Sequence, residues 1–117
     1  MKGGCMGIEI HSKPMKEIVY RESRIAKVLG DPAKYAIINL LLRHGAMSVG
    51  EIAKTVHRAE STVSHHLSML RSLEIVRYEA KTSGVYYWIK YPKELKLILK
   101  ALNIFFKRSL ERLEHET

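Results

Sequence analysis

Between Ser48 and Ile89 the spacing of apolar residues changes from a helical period to a strand period, which narrows sharply what this chain can build. Ser48 followed three residues later by Glu51 is a capping box, and it opens a short helix through about Val56 with Ile52, Ala53 and Val56 turned inward. His57 to Glu60 link it to a second helix over about Ser61–Leu73, whose buried face is Val63, Leu67 and Leu70, spaced i, i+4, i+7. The period then becomes two. Ile75 to Ala80 and Val85 to Ile89 are β-branched and aromatic, and Lys81-Thr82-Ser83-Gly84 between them reads as a hairpin turn.

The flanks supply three more helices' worth of pattern in two directions. Met15, Ile18, Val19, Ile25, Ala26, Val28 and Leu29 recur at helical spacing until Gly30 stops the run. Asp31-Pro32 gives an N-cap and a proline at the first helical position, and Ala33, Ala36, Ile37, Leu40 and Leu41 form the stripe that ends at His44-Gly45. Ala46-Met47-Ser48 reads as a short connector, and Pro92 starts a last helix to about Glu114. Residues 1–14 read as a flexible N-terminal arm, and 15–114 as one domain. The fold class is therefore mainly α with a small β-hairpin: helix, helix, helix-turn-helix, hairpin wing, helix, a winged helix-turn-helix.

Composition sets the partner class. The 117 residues hold 20 Lys+Arg against 12 Asp+Glu, a formal charge of +8, which favours a polyanion, nucleic acid before a membrane surface. No apolar run approaches the roughly 20 residues that span a bilayer, and the first residues lack the apolar core of a secretory signal. One cysteine, Cys5, excludes an intrachain disulfide framework and a multi-cysteine zinc site, and the expected compartment is the cytoplasm. The absence of Gln and the presence of only two Asn, beside abundant Lys, Arg and Glu, is a composition met in proteins from hot environments.

In a helix-turn-helix the first helix packs across the second and holds its N-terminal half towards the major groove of double-stranded DNA. Here Ala53 suits the helix crossing, His57 sits at the turn, and Val63 with Leu67 anchor the recognition helix. The outward side carries Glu60, Ser61, Thr62, Ser64 and His65, short hydrogen-bonding side chains expected to read base edges. Ser68, Lys54, Arg58, Arg71, Arg77 and Lys81 surround them as expected phosphate contacts, Lys81 at the tip of the wing.

These residues resemble the ArsR family of bacterial and archaeal repressors. The resemblance rests on Gly30-Asp31-Pro32-Ala33-Lys34 through Leu41, on Ser48 to Ala53, on Ser61-Thr62-Val63-Ser64-His65-His66-Leu67-Ser68-Met69-Leu70, and on Val85-Tyr86-Tyr87. It covers about residues 17–110 and implies a homodimeric winged-helix repressor, in many members released from DNA by a metal ion or another effector. It also implies base reading by Ser61, Thr62, Ser64 and His65, and places His66 where the family usually has histidine. Three positions depart from the pattern: His57 stands where the turn usually has Gly, Ala59 where the recognition helix usually has a Ser N-cap, and Glu60 where Gln is frequent. Glu60 suits the positive helix N-terminus and a cytosine N4 rather than a phosphate, which implies a shifted operator.

The family's usual metal motifs are missing from the sequence. Where metal-sensing members carry Cys-x-Cys this chain has Ser48-Val49-Gly50, and the last helix offers only Lys93-Glu94-Leu95-Lys96 at its start and His115-Glu116 at its end. Cys5 and His11 on the arm make a poor ligand pair, so no metal and no cofactor is expected, and Cys5 reads as an unpaired thiol. Ser61 and His65 are i, i+4 apart, but with no orienting third group and no oxyanion donors the chain does not read as an enzyme. Ile18, Val19, Leu99, Leu102, Phe106, Leu110 and Leu113 exceed what one small core needs and are the expected homodimer surface, one stripe of the last helix facing the core and the other a partner. The alternative is a winged-helix module that binds another protein in a transcription or other assembly. An unknown effector would need a pocket, expected between the last helix and the core.

Overall fold

The computed structural model describes residues 13–116, with side chains from 16 to 113. Five helices and three short strands follow in the order α1 Lys13–Leu29, α2 Pro32–His44, β1 Met47–Ser48, α3 Val49–Val56, α4 Glu60–Ser72, β2 Val76–Lys81, β3 Gly84–Ile89 and α5 Pro92–Glu116. This is the winged helix-turn-helix architecture, with boundaries close to those the periodicity implies. The arm read over residues 1–14 lies outside the described residues except for Lys13 and Pro14, which belong to α1.

Local chemistry sets each helix end. Asp31 caps α2 by accepting the Lys34 N–H at 3.0 Å, and Pro32 follows at the first position. Gly45 closes α2 at φ +78°, its N–H directed to the Leu41 carbonyl. At the start of α3 the Ser48 hydroxyl accepts the Glu51 N–H at 3.2 Å and the Glu51 carboxylate accepts the Ser48 N–H at 2.9 Å.

The connector before α3 is more than a connector. Met47–Ser48 forms β1 and pairs antiparallel with β3, Met47 opposite Tyr87 and Ser48 opposite Tyr86, so the sheet has three strands in the order β1-β3-β2. The hairpin turn is also tighter than read. Lys81 and Gly84 are already paired, leaving Thr82-Ser83 as the loop, with Gly84 at φ +136° where a side chain would be strained.

The core lies where α2, α3, α4 and the base of the sheet meet. Ile38, Ile52, Val63, Leu67 and Leu70 are fully buried, and Ile37, Leu41 and Val76 nearly so. Val28 and Ile89 complete it from α1 and β3. The last helix departs from expectation. Only Leu95, with Leu99 half-buried beside it, reaches this core, and from 101 to 113 every side chain is exposed. Beyond Leu99 neither apolar stripe of α5 is covered by the described residues.

Candidate nucleic-acid interface

The α3–α4 corner depends on one backbone conformation. His57 adopts φ +56°, ψ +49°, the left-handed region, and its N–H returns to the Ala53 carbonyl together with the Arg58 N–H at 3.1 Å. Histidine tolerates this region better than most side chains, at some cost in strain. Ala53, 5% exposed, leaves room for the helices to cross. Ala59 at the N-cap of α4 has extended backbone angles but makes no side-chain cap bond.

With Val63, Leu67 and Leu70 sealed into the core, the opposite face of α4 is fixed. Ser61, Thr62, Ser64, His65 and Ser68 are all exposed, and the short hydroxyls among them let a groove approach the helix closely. Glu60 behaves differently. Its Oε2 lies 3.6 Å from where a Cβ on Gly50 would stand, so the carboxylate leans back over the start of α3, where helix N-terminal amides favour an anion.

The basic residues frame this face unevenly. Lys54, Arg58, Arg71, Arg77 and Lys81 are exposed. Arg58 Nη1 donates to the His57 carbonyl at 3.4 Å, which folds it over the turn. Arg71 lies 5.0 Å from the centre of the Tyr78 ring, itself 5.6 Å from Tyr87, so an aromatic pair on the wing holds a cation beside α4. Lys81 lies 5.6 Å over Tyr86, whose hydroxyl shares a 2.9 Å hydrogen bond with Ser83 at the tip. The tyrosines as supports for these cations were missed in the sequence, although the alternation of Tyr78 and the Val85-Tyr86-Tyr87 run held the signal.

An ion pair joins the turn after α4 to the end of the wing. Glu74, at φ +62° in the turn after α4, pairs with Lys90 at the end of β3, and the Lys90 N–H donates to the Ile75 carbonyl at 3.0 Å. The side-chain hydrogen bond from Lys90 to Glu74, with the opposite charges of the pair, holds the Glu74 carboxyl below and the Lys90 ammonium above their usual ranges.

On the opposite edge of α4, His66 is half-buried and its Nδ1 has no hydrogen-bond partner among the described residues. Burial, followed by the positive charge of Lys34, lowers its pKa. The Lys34 amide and ammonium lower that of Asp31. Among the described residues no group of three His, Cys, Asp or Glu is placed to hold a metal ion, and no helix is long and apolar enough to cross a membrane. Cys5 and His11 lie outside the described residues.

Comparison with known proteins gives concordant matches. The family model for bacterial regulatory proteins of the arsR family matches residues 31–78, from the cap of α2 to the first half of the wing. An HTH-type transcriptional regulator of Methanocaldococcus jannaschii is 32% identical over 83 residues, 71% of this chain and 92% of the relative. The transcriptional repressor PagR of Bacillus anthracis is 30% identical over 82 residues, 70% of this chain and 81% of its own length. Among solved structures, NolR of Sinorhizobium fredii superposes with a TM-score of 0.73 at 25% identity, covering 85% of this chain and 97% of NolR.

Proposed function

This chain belongs to the ArsR family of bacterial regulatory proteins, which are DNA-binding transcriptional regulators rather than enzymes, and from that premise we propose that it acts as a homodimeric repressor on an inverted-repeat operator. The observation that carries the proposal is the division of α4: a fully buried Val63, Leu67 and Leu70, and opposite them an exposed row of Ser61, Ser64, His65 and Ser68. These side chains read base edges in the major groove, Thr62 at the border of the row. Lys54, Arg58, Arg71, Arg77 and Lys81 neutralise the flanking phosphates. Glu60, at the start of α4, completes the base-reading set as an acceptor for a cytosine N4. Such work places the protein with the DNA, in the cytoplasm. The repressor PagR is among the relatives that support the sign of regulation.

Dimerisation follows from what the chain leaves uncovered. Phe105 is 74% and Phe106 57% exposed, with Leu102, Leu110 and Leu113 on the same helix and Ile18 and Val19 on α1 also exposed. An apolar surface this extended is rare on a monomer and marks an association face. Leu99 takes part only at its edge, because it already packs against its own core. A twofold dimer through α1 and α5 sets two recognition helices roughly 34 Å apart, one turn of B-DNA. Selection of bound duplexes from a random pool, with the solution mass read by light scattering, tests this. The expected result is a dimer and an inverted repeat with half-sites about ten base pairs apart. A monomer, or binding without a motif that vanishes at moderate salt, overturns it.

A further inference from the structure

A polar hollow lies not between α5 and the core but on the other side of α4. The space at α5 is a hollow of about 260 Å³ lined by Ile25, Ile75, Ile89, Leu95 and Ile98, almost wholly apolar. The second cleft, of about 410 Å³, opens between α1, the start of α2 and the end of α4. That volume is in the range of sites for small organic molecules, roughly 300–1,000 Å³.

Its lining has two characters. Arg24 and Lys27 from α1 and Lys34 from α2 bring three cations against the single carboxylate of Asp31. Asp31 is already engaged, accepting the Lys34 N–H at 3.0 Å and standing 3.6 Å from the Lys34 ammonium. Among the described residues neither Arg24 nor Lys27 has an ion-pair partner, and Arg24 is held only 5.9 Å from the centre of the Tyr20 ring. The other walls are Val28, Met69 and Leu73, with Ser23 and Ser72 between them, whose hydroxyls donate to the Tyr20 and Met69 carbonyls of their own helices. The pattern of α1 is the cause. Tyr20, Arg24 and Lys27 fall at i, i+4, i+7 on the side turned to α4, while Ile18, Ile25 and Leu29 form a separate apolar stripe. The cations at the cleft are therefore not those of the proposed dimer face.

We infer that this cleft binds a small organic anion, a carboxylate on an aromatic or short aliphatic body, and that its occupancy alters the affinity of α4 for DNA. The acid group pairs with Arg24 and Lys27, and the body lies on Val28, Met69 and Leu73. A duplex phosphate fits the site less well. Lys34 is recessed, its side chain only 11% exposed, and most of the lining is apolar surface that a phosphodiester does not use. Met69 and Ser72 belong to α4 and Leu73 caps its end, so a ligand filling the cleft bears directly on the recognition helix. His66, one turn before Met69 on the same edge, has its buried Nδ1 unpaired, and that edge of α4 has no polar bond to α2 through this atom to hold it fixed. The coupling, but not the site, rests on the reading of α4 as the DNA-recognition helix.

Methionine-methyl NMR of the full chain without DNA tests the site, with benzoate, indole-3-acetate and octanoate as probes and their amides as neutral controls. The account expects at least one acid to shift the Met69 methyl saturably at up to millimolar concentration, its amide not to, and Arg24→Gln with Lys27→Gln to weaken the acid about tenfold while the unfolding midpoint stays unchanged. No shift with any acid, equal shifts with the amides, or unaltered binding to the variant overturns the site. The acid that binds is then added to the protein on its selected operator. A change in DNA affinity supports the coupling, and unchanged affinity at saturating acid overturns the coupling alone. Failure to find an operator would instead count against the reading of α4, since the Met69 measurement contains no DNA.

Discussion

Ser48 and Tyr86 stand opposite each other across the β1–β3 pairing, while the Ser48 hydroxyl caps α3, so one residue ties the helix-turn-helix to its wing. The helix that supports recognition and the strand that carries the wing therefore share a fixed point. Ser48→Ala removes the hydroxyl of the capping box and is expected to cost about 1 kcal/mol, a fall in Tm of roughly 4–8 °C for a domain of this size. Thermal unfolding followed by circular dichroism checks this, and an unchanged midpoint would show that the cap contributes nothing.

Two positions carry residues that a more stable version of this fold would replace. His57→Gly relieves a left-handed conformation that costs an L-residue roughly 1–2 kcal/mol, offset in part by the roughly 0.5–1 kcal/mol of extra unfolded-state freedom of glycine. Ala59→Ser supplies the missing cap of α4 on a backbone already extended at φ −64°, ψ +146°, and is expected to add about 1 kcal/mol. Both variants should raise Tm in chemical or thermal denaturation. A lower Tm for either would mean that the native side chain makes a contact the geometry does not reveal.

Much of this was legible in the sequence because it is local. The Asp31-Pro32 start, the Ser48–Glu51 box and the Val63, Leu67, Leu70 face are each written within one or two helical turns. The rest depends on residues far apart in the chain. Met47-Ser48 is too short to show a period, and it becomes a strand only because β3 arrives beside it. The cleft needs Arg24, Lys34 and Met69 from three helices, and Arg24 or Lys27 alone reads as an ordinary solvated charge. Glu60 sits at a groove-facing position by count, and that its carboxylate comes near Gly50 of α3 is a matter of tertiary packing. The apolar stripes of α5 were plain, but how far the helix runs past its own core is a matter of packing.

Acid should loosen the fold through His66. Burial and the charge of Lys34 hold its pKa below the ordinary 6.5, so the folded chain binds fewer protons there than the unfolded chain. Stability is then present above pH 6.5 and is lost as the pH falls from there towards the lowered folded value. Asp31 adds a loss only in more acid solution, below its ordinary 3.8, because its lowered pKa keeps the native carboxylate charged for longer. Between about pH 7.5 and about pH 5.5 the midpoint should fall, and His66→Asn should fall less. Equal falls in the two proteins would contradict the assignment.

Lys81 is held over Tyr86 at the tip of the wing, and we propose that it contacts a phosphate. Lys81→Ala should weaken all duplexes alike and flatten the slope of log K against log salt by about one. Fluorescence anisotropy across a salt series reads both quantities. An unchanged slope, or a loss confined to one sequence, would assign the residue a different role.

The central claim is that the exposed row of α4 reads sequence, and the most direct measurement compares the motifs selected from a random duplex pool by the native protein and by Ser64→Ala and His65→Ala. Each substitution is expected to erase preference at one position of each half-site, at a cost of about 1–3 kcal/mol on the native operator, and to leave the remaining positions intact. Motifs identical to the native one in both variants would contradict the claim.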